Sequence, residues 1–333
     1  MNLTSTMKYF LQAALFAAVL AASTVSAQQP ARKQSDKLNE TETRRILQVL
    51  ASDSMEGRAV FTPGIEKAAA FIAAEFKAAG LQPLHPDSSF LQHFTVNALA
   101  RRFAGKPLFN VVGILPGKSK KDEYVIFSGH YDHLGTGKPV NGDSIYNGAN
   151  DDASGITAVI MLAKYFKALD KNERTLIFAA FTAEETGGMG SRYFSRELDS
   201  SRVMAMFNIE MIGTGSKWGA NSAYITGYEK SDMGKILQKN LENTPFRFYP
   251  DPYPEQQLFY RSDNATLARQ GVPAHTISTS KMDSEPYYHT VEDEIETLDI
   301  KNMTEIIRAI GHSAQSIITG KDTPSRVDAG RLR

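Results

Sequence analysis

Two adjacent glutamates at the end of an apolar segment are the residues best suited to chemistry in this sequence. Glu184 and Glu185 follow the apolar run 176–181 and precede a glycine-rich turn. A buried carboxylate without a partner normally takes up a proton, because it has lost its hydration. Residues 175–191 contain no lysine or arginine. The compensating charge must therefore come from elsewhere in the fold or from a metal ion.

Histidines and further carboxylates follow other predicted strands in the same way. Ligands of open α/β sheets bind beyond the carboxyl ends of the strands, so we expect these side chains to meet at one edge. Two histidines and several carboxylates are what a two-metal hydrolytic site requires, with one carboxylate shared between the ions. The sequence contains no cysteine, so histidine and carboxylate must hold any metal. The residues are His130 and Asp132, Asp151 and Asp152, Glu210, and Tyr288 and His289.

Each of these residues alone has an ordinary explanation. His130 by itself would be a polar residue without a special role, and Asp151 follows an Asn-Gly turn and would cap the next helix. The set as a whole favours a metal site over these separate explanations.

Alternating strand and helix patterns must position these residues. They predict a three-layer α/β/α sandwich with a central mixed, mostly parallel sheet. Residues 37–320 are predicted to form one compact domain, and residues 321–333 a loose polar tail. The predicted strands are 94–96, 108–114, 124–129, 175–181, 203–209, 223–226 and 272–278, and the predicted helices are 38–50, 65–79, 156–169 and 300–317.

The N-terminal segment predicts export. Residues 1–27 combine Lys8, an apolar run and a small-residue cleavage site, which is typical of a signal peptide. The apolar run is shorter than the roughly 20 residues that a spanning helix needs, which disfavours a membrane anchor. Residues 28–36 are polar and predicted to be a disordered lead-in. We expect a periplasmic or extracellular protein.

The balance of charge limits the partners. Lysine plus arginine and aspartate plus glutamate both number 37, so the net charge is zero and nothing indicates a nucleic acid partner. After cleavage of the signal peptide, we expect no association with a membrane. The oligomeric state is left open.

Five segments resemble a known family. HYDHLG, NGANDDASG, FTAEETG, NIEMIG and YYHTVED, in this order and at these intervals, are similar to segments of the co-catalytic zinc exopeptidases. That family includes bacterial leucyl aminopeptidase, aminopeptidase Y and glutamate carboxypeptidase. The similarity extends from about residue 35 to residue 320. It implies the zinc exopeptidase, phosphorylase/hydrolase-like fold, two zinc ions per chain and a peptide substrate.

The resemblance also assigns metal ligands. It implies that Asp151 bridges both ions, that Glu185 and His289 complete one site, and that His130 and Glu210 complete the other. The peptide bond between Asp151 and the next residue is expected to be cis. Many aminopeptidases of the family carry aspartate where this chain has Glu210, which puts the affinity of that site and the substrate class in doubt.

Roles for five further residues follow from the same resemblance and their positions. Glu184 would be the general base, and the carboxylate of Asp132 would orient the imidazole of His130. Tyr288 would donate a hydrogen bond to the tetrahedral oxyanion, or simply pack beside a ligand. Asp263 is expected either near the substrate or as the cap of a following helix, and His133 is expected to tune or border the site.

Other functions remain open on this scaffold. A glutaminyl cyclase, which uses one zinc ion, and a metallocarboxypeptidase are alternatives to an aminopeptidase. A binding module with a dead site is disfavoured, because all five ligand positions are retained.

Overall fold

The computed structural model describes residues 37–84, 89–96 and 103–332. The predicted signal peptide, residues 1–27, and the predicted lead-in, residues 28–36, lie outside the described residues. Within those ranges, every helix is too short or too polar to cross a lipid bilayer.

The helices and strands of the described residues are numbered in chain order. The strands are β1 Gln82–Pro83, β2 Leu91–Thr95, β3 Pro107–Leu115, β4 Lys120–His130, β5 Gly135–Val140, β6 Asp143–Tyr146, β7 Arg174–Phe181, β8 Val203–Ile209, β9 Ser222–Ile225, β10 Arg247–Pro250 and β11 Ala274–Ser278. The α-helices are α1 Glu40–Leu50, α2 Pro63–Ala78, α3 Gly155–Leu169, α4 Met189–Glu197, α5 Met233–Asn240, α6 Asn264–Ala268, α7 Ile300–Ser313 and α8 Gln315–Ile318.

Nine strands form one mixed sheet with β4 near its centre. The order is β1-β3-β7-β4-β8-β11-β9-β10, and β2 also pairs with β3. Strand β4 runs parallel to β7 and β8, and β8 runs parallel to β11. The carboxyl ends of these four strands therefore share one edge, where ligands of such sheets bind. Strand β3 is antiparallel to β1, β2 and β7, and β9 is antiparallel to β11.

Alternate side chains of the sheet pack against helices on opposite faces. Val125 and Phe127 of β4 lie in a core cluster with residues of α1, α2, α3, α5, α7 and α8. Ile126 lies in a second cluster with residues of α4 and α6. The ring of Phe127 packs against Phe178 and Phe207 at centroid distances of 5.6 and 4.8 Å. The predicted three-layer α/β/α sandwich with a mixed sheet is confirmed. Among the described strands, four of the eight pairings in this sheet are antiparallel, so the expectation of a mostly parallel sheet is corrected.

Several short elements were not predicted from the sequence. Strand β5, with the sequence GTGKPV, contains two glycines and a proline and is mostly exposed, so its composition indicates a turn. Strand β10 has only four residues, and helices α4 and α5 are short and partly polar. The predicted closing helix is divided at Ala314 into α7 and α8.

The prediction of a loose C-terminal tail is wrong for residues 321–332. The side chain of Arg174 donates a hydrogen bond of 2.8 Å to the carbonyl of Asp322. Arg326 donates to the carbonyl of Val203 at 2.7 Å, and the side chain of Val327 is buried. The tail packs against the domain because its partners come from distant strands and loops, which local polarity does not reveal.

His275 lies in the core of the sheet with both ring nitrogens hydrogen-bonded. Its Nδ1–H donates to the carbonyl of Thr226 at 2.8 Å, and its Nε2 accepts from the hydroxyl of Ser231 at 2.7 Å. Burial lowers the pKa of His275 to about 4. It is a core residue with satisfied hydrogen bonds, as its position in an apolar strand predicts.

We expect His275 to make the protein less stable in acid. The ordinary pKa of histidine is about 6.5, so below that pH the unfolded chain binds a proton that the folded chain refuses. The free energy of unfolding should fall by about 3 kcal/mol between pH 6.5 and 4 from this residue alone. The control variant is His275→Asn, which keeps a donor near the Thr226 carbonyl. Denaturant unfolding should show that the free energies of unfolding of the wild type and of this variant, plotted against pH, converge in acid. Parallel curves over this range would contradict the prediction.

Candidate metal centre

The predicted site residues lie at the carboxyl edge of the parallel strands. His130 is the last residue of β4, and Glu210 directly follows β8. Glu185 lies in the turn after β7, and Asp151 lies in the turn that precedes α3. His289 belongs to the long connection between β11 and α7. The fold thus brings together residues from five separate segments.

The carboxylate of Asp151 lies between two groups of side chains. Its Oδ1 is 3.1 Å from Nε2 of His130, and ligand atoms of His130, Asp151 and Glu210 lie within 4.8 Å of one another. Its Oδ2 is 3.1 Å from Nε2 of His289, which is also 3.2 Å from Oε2 of Glu185. We call these sets the His130 group and the His289 group, with Asp151 in both. One oxygen directed at each group is the arrangement needed to bridge two ions.

Atoms facing both groups lack the partners that buried polar atoms require. Within the part of the chain that the structure describes, Nε2 of His130, Nε2 of His289 and Oε2 of Glu210 have no hydrogen-bond partner. Each of these nitrogens faces an oxygen of Asp151 at 3.1 Å without forming a hydrogen bond. Buried polar atoms normally form hydrogen bonds or coordinate a metal. Imidazole nitrogen and carboxylate oxygen suit zinc, so the residues fit two such ions.

Asp132 holds the site differently from what the resemblance implies. Its backbone carbonyl, not its carboxylate, accepts the Nδ1–H of His130 at 3.1 Å, while the carboxylate Oδ1 lies 3.9 Å from that nitrogen. The carboxylate accepts the backbone N–H groups of Glu184 at 3.0 Å and Glu185 at 3.3 Å. The prediction that the carboxylate orients the imidazole is therefore corrected. Asp132 positions one imidazole through its backbone and both glutamates through its side chain.

Asp152 connects three of the segments that carry the site. Its carboxylate accepts the backbone N–H groups of His130 at 3.1 Å, Gly155 at 3.0 Å and Met211 at 3.2 Å. These groups lie at the end of β4, the start of α3 and the turn after β8. The peptide bond between Asp151 and Asp152 is cis, as the resemblance implies.

Asp293 is a supporting residue that the sequence analysis missed. It is buried, and its carboxylate accepts the backbone N–H groups of Asn150 at 2.8 Å and Asp151 at 3.0 Å. Its pairing with residues more than 140 positions away left no local pattern in the sequence. Its place in the segment YYHTVED, four residues after His289, was the available signal.

Glu184 directly precedes the predicted ligand Glu185 and interacts electrostatically with His130, Glu210 and Asp263. Burial raises the pKa of Glu184 well above its usual range, and the carboxylates of Glu210 and Asp263 raise it further, while His130 opposes the shift. A carboxyl group whose pKa is raised holds its proton more strongly than an exposed one, and groups with perturbed pKa values are typical of general acids and bases.

Tyr288 lies at the same edge. Its ring stacks on that of His289 with a centroid distance of 3.9 Å and an interplanar angle of 24°. Burial and the carboxylates of Asp151 and Glu185 raise the pKa of Tyr288, so its hydroxyl stays protonated and able to donate. The stacking on His289 shows packing beside a ligand, and the protonated hydroxyl can still donate a hydrogen bond.

Asp263 is buried and faces the site rather than capping a helix. It precedes α6, but its side chain makes no capping hydrogen bond. Neither of its carboxylate oxygens has a hydrogen-bond partner among the described residues. Its charge contributes to the raised pKa of Glu184 and of Glu210. Of the two expectations for Asp263, the structure favours proximity to the site.

Arg58 is a second supporting residue that the sequence analysis missed. Its buried guanidinium donates to four backbone carbonyls, those of Leu50, Tyr131, Asn147 and Gly148, at 2.6 to 2.9 Å. Two of these lie in the loop before Asp151, and Tyr131 follows His130 directly. Arg58 therefore ties the segments that carry the ligands to the N-terminal part of the domain. No periodic pattern or motif marks this arginine in the sequence.

We expect Arg58→Met to lower the free energy of unfolding by about 3 to 5 kcal/mol, because buried carbonyls lose their donor. Arg58→Lys should also be destabilising, since an ammonium group cannot reproduce the planar fork of donors. Arg45→Met is the matched control, because Arg45 is exposed and its ion pairs with Glu42 and Glu75 should contribute at most about 1 kcal/mol. Denaturant unfolding measures all three variants, and equal losses for Arg58→Met and Arg45→Met would contradict this account.

The fold and the two ligand groups together define an α/β protein with a site for two metal ions. Residues 110–314, more than half of the chain, match Peptidase family M28, and the chain belongs to this family. The matched range contains all five predicted ligands. The resemblance to the co-catalytic zinc exopeptidases is thereby confirmed.

A curated relative is similar over part of its length. A probable leucine aminopeptidase of Trichophyton verrucosum is 29% identical over 206 residues, which cover 59% of this chain and 54% of that protein. The chain thus spans about half the length of this relative.

Two solved structures share the fold. A zinc aminopeptidase from Bacillus subtilis has a TM-score of 0.66 at 14% identity, over 86% of this chain and 97% of that one. A glutaminyl cyclase from Porphyromonas gingivalis has a TM-score of 0.64 at 14% identity, over 84% of this chain and 99% of that one. Both enzymes use this scaffold, so the fold alone does not distinguish between their activities.

Proposed function

We propose that this protein is a zinc-dependent aminopeptidase that hydrolyses the N-terminal peptide bond of peptides. The carboxylate of Asp151, with one oxygen toward His130 and the other toward His289, carries the proposal. A carboxylate in this position suits hydrolysis that uses two metal ions. The names of the relative from Trichophyton verrucosum and of the structural neighbour from Bacillus subtilis support an aminopeptidase over a carboxypeptidase.

The metal ligands fall into two sets that share Asp151. His130 and Glu210 would hold one zinc ion, and Glu185 and His289 the other. When bound, the two ions supply Lewis acidity to the carbonyl of the scissile peptide and to water. The protein's own contribution is to hold the ligands at one edge of a rigid sheet.

Glu184 would move the proton in this reaction. Its carboxylate would accept a proton from water and then deliver it to the leaving amine. The hydrogen bond from its backbone N–H to Asp132 fixes the turn that presents it. The hydroxyl of Tyr288 would donate to the oxygen on which negative charge develops.

A glutaminyl cyclase is the alternative enzyme on this scaffold. Such an enzyme uses one zinc ion, whereas this chain retains complete ligands in both the His130 and the His289 groups. The presence of both ligand groups favours the peptidase. Because the scaffold is shared, an assay for cyclisation of glutaminyl peptides is a necessary control.

We also propose export to the periplasm or the extracellular space, based on the signal-peptide pattern of residues 1–27. Mass spectrometry of the protein recovered from its native source should then show a chain that begins at Gln28. Retention of residues 1–27 would contradict export by this route.

Glu184→Gln is expected to lower turnover of aminoacyl-anilide substrates by about 100- to 10,000-fold, because the amide cannot accept the proton. The same variant should still bind two zinc ions, since Glu184 is not a ligand. Elemental analysis of the metal content and initial-rate assays test both parts. Glu292→Gln, an exposed glutamate in the segment YYHTVED, is the matched control and should retain wild-type turnover. Full activity of Glu184→Gln would exclude it as the general base.

Removal of the metal should abolish turnover and lower stability. Without cations, the buried carboxylates repel one another or take up protons, and burial raises the pKa of Glu210 to about 7. Dialysis against a chelator should therefore stop release of the N-terminal residue, lower the melting temperature, and be reversed by two equivalents of zinc. Activity that survives complete removal of zinc would refute the proposal, and cyclisation of glutaminyl peptides without peptidase activity would favour the alternative.

A further inference from the structure

His133 is a buried histidine at the edge of the His289 group. Its side chain is fully buried, and its Nδ1 lies 2.9 Å from Oε1 of Glu185. A carboxylate only accepts hydrogen bonds, so the Nδ1–H of His133 is the donor. We propose that His133 is a positioning residue that holds Glu185 so that only Oε2 is presented to the metal. This inference rests on the proposed two-zinc site.

The two oxygens of Glu185 have different surroundings. Oε2 lies 3.2 Å from Nε2 of His289, and that nitrogen lies 3.1 Å from Oδ2 of Asp151. Ligand atoms about 2.0 to 2.2 Å from one tetrahedral zinc ion are separated by about 3.3 to 3.6 Å. The observed distances are only slightly shorter, so a small outward shift would suit three ligands of one ion. Oε1 points instead to His133. The hydrogen bond from His133 thus occupies Oε1 and leaves Oε2 free to bind the metal.

His133 is itself held in place by contacts with neighbouring segments. Its backbone N–H donates to the carbonyl of Arg58 at 3.2 Å. Its imidazole ring lies against Gly148, where a Cβ atom would come within 2.6 Å of the ring. The ring also packs edge to face with that of His289, at a centroid distance of 5.7 Å. A residue held at its backbone by Arg58 and at its ring by Gly148 and His289 can impose one orientation on Glu185.

Direct coordination by His133 is the competing arrangement, since ligand atoms of His133, Asp151 and Glu185 lie within 4.8 Å of one another and Nε2 of His133 has no hydrogen-bond partner among the described residues. The distances of Nδ1 favour a hydrogen bond instead. Nδ1 of His133 is 3.8 Å from Oδ2 of Asp151, longer than the 3.1 Å between that oxygen and His289. The contact of 2.9 Å with Glu185 is an ordinary hydrogen-bond length. Hydrogen-bonded partners of metal ligands typically contribute 10- to 100-fold in metal affinity. We therefore expect His133 to strengthen zinc binding at the His289 group without being a ligand.

Three substitutions separate these roles. His133→Asn places an amide N–H near the position of Nδ1, His133→Gln places it nearer to Nε2, and His133→Ala removes both. Titration of the metal-free protein with zinc against a competing chelator measures the affinity for each ion. We expect one ion to bind about 10- to 100-fold more weakly in His133→Ala and His133→Gln, with the other ion unchanged and His133→Asn close to the wild type. His93→Ala, which removes an exposed histidine, is the control and should change neither affinity.

Two outcomes would overturn the proposal. Unchanged affinities for both ions in His133→Ala would show that the hydrogen bond does not position Glu185. The second outcome concerns the absorption spectra of the cobalt-substituted variants. If the spectra of His133→Asn and His133→Ala both show the loss of one nitrogen ligand, His133 is a ligand instead. Should His133→Ala fail to fold, the comparison of His133→Asn with His133→Gln still decides the matter. Because the readout is metal affinity, it is independent of whether the protein proves to be an aminopeptidase.

Discussion

The shared carboxylate of Asp151 is the interaction on which this site depends. It lies between two imidazoles, and neither imidazole nitrogen completes a hydrogen bond with it. Further buried or partly buried carboxylates surround it, and their mutual repulsion is unfavourable unless cations are present. Bound metal ions would offset this repulsion and make the cluster of carboxylates favourable. The burial that raises the pKa of Glu184 also makes this group suitable for moving protons.

The carboxylates that are not metal ligands hold the segments that carry the ligands. Asp132 binds the turn of the paired glutamates, Asp152 binds the ends of β4 and β8, and Asp293 binds the turn of Asp151. In each case the carboxylate accepts backbone N–H groups, which position a whole turn rather than a single side chain. The buried guanidinium of Arg58 does the same through carbonyl groups. Ligand geometry is thus determined by main-chain contacts between segments that are far apart in the sequence.

The strands that carry the site could be predicted from the sequence, because β4, β7 and β8 contain apolar runs that lead into polar residues. The positions of His130, Glu185 and Glu210 follow from this pattern. Supporting residues such as Arg58 and Asp293 could not be predicted, because their partners lie in other segments and no local pattern records them. The packing of the C-terminal tail was missed for the same reason. Val327 lies in a polar segment but is buried, because this segment packs against the distant loop that contains Gly271. His133 was expected to tune or border the site, but its partner could not be named, because spacing alone does not show which way an imidazole points.

The most direct test of the shared carboxylate is an anomalous difference map from crystals grown with zinc and measured at the zinc absorption edge. We expect two peaks about 3.5 to 4 Å apart. Each peak should lie about 2.0 to 2.2 Å from a different oxygen of Asp151. A single peak, or a second peak that Asp151 does not contact, would contradict the central claim that one carboxylate bridges two ions.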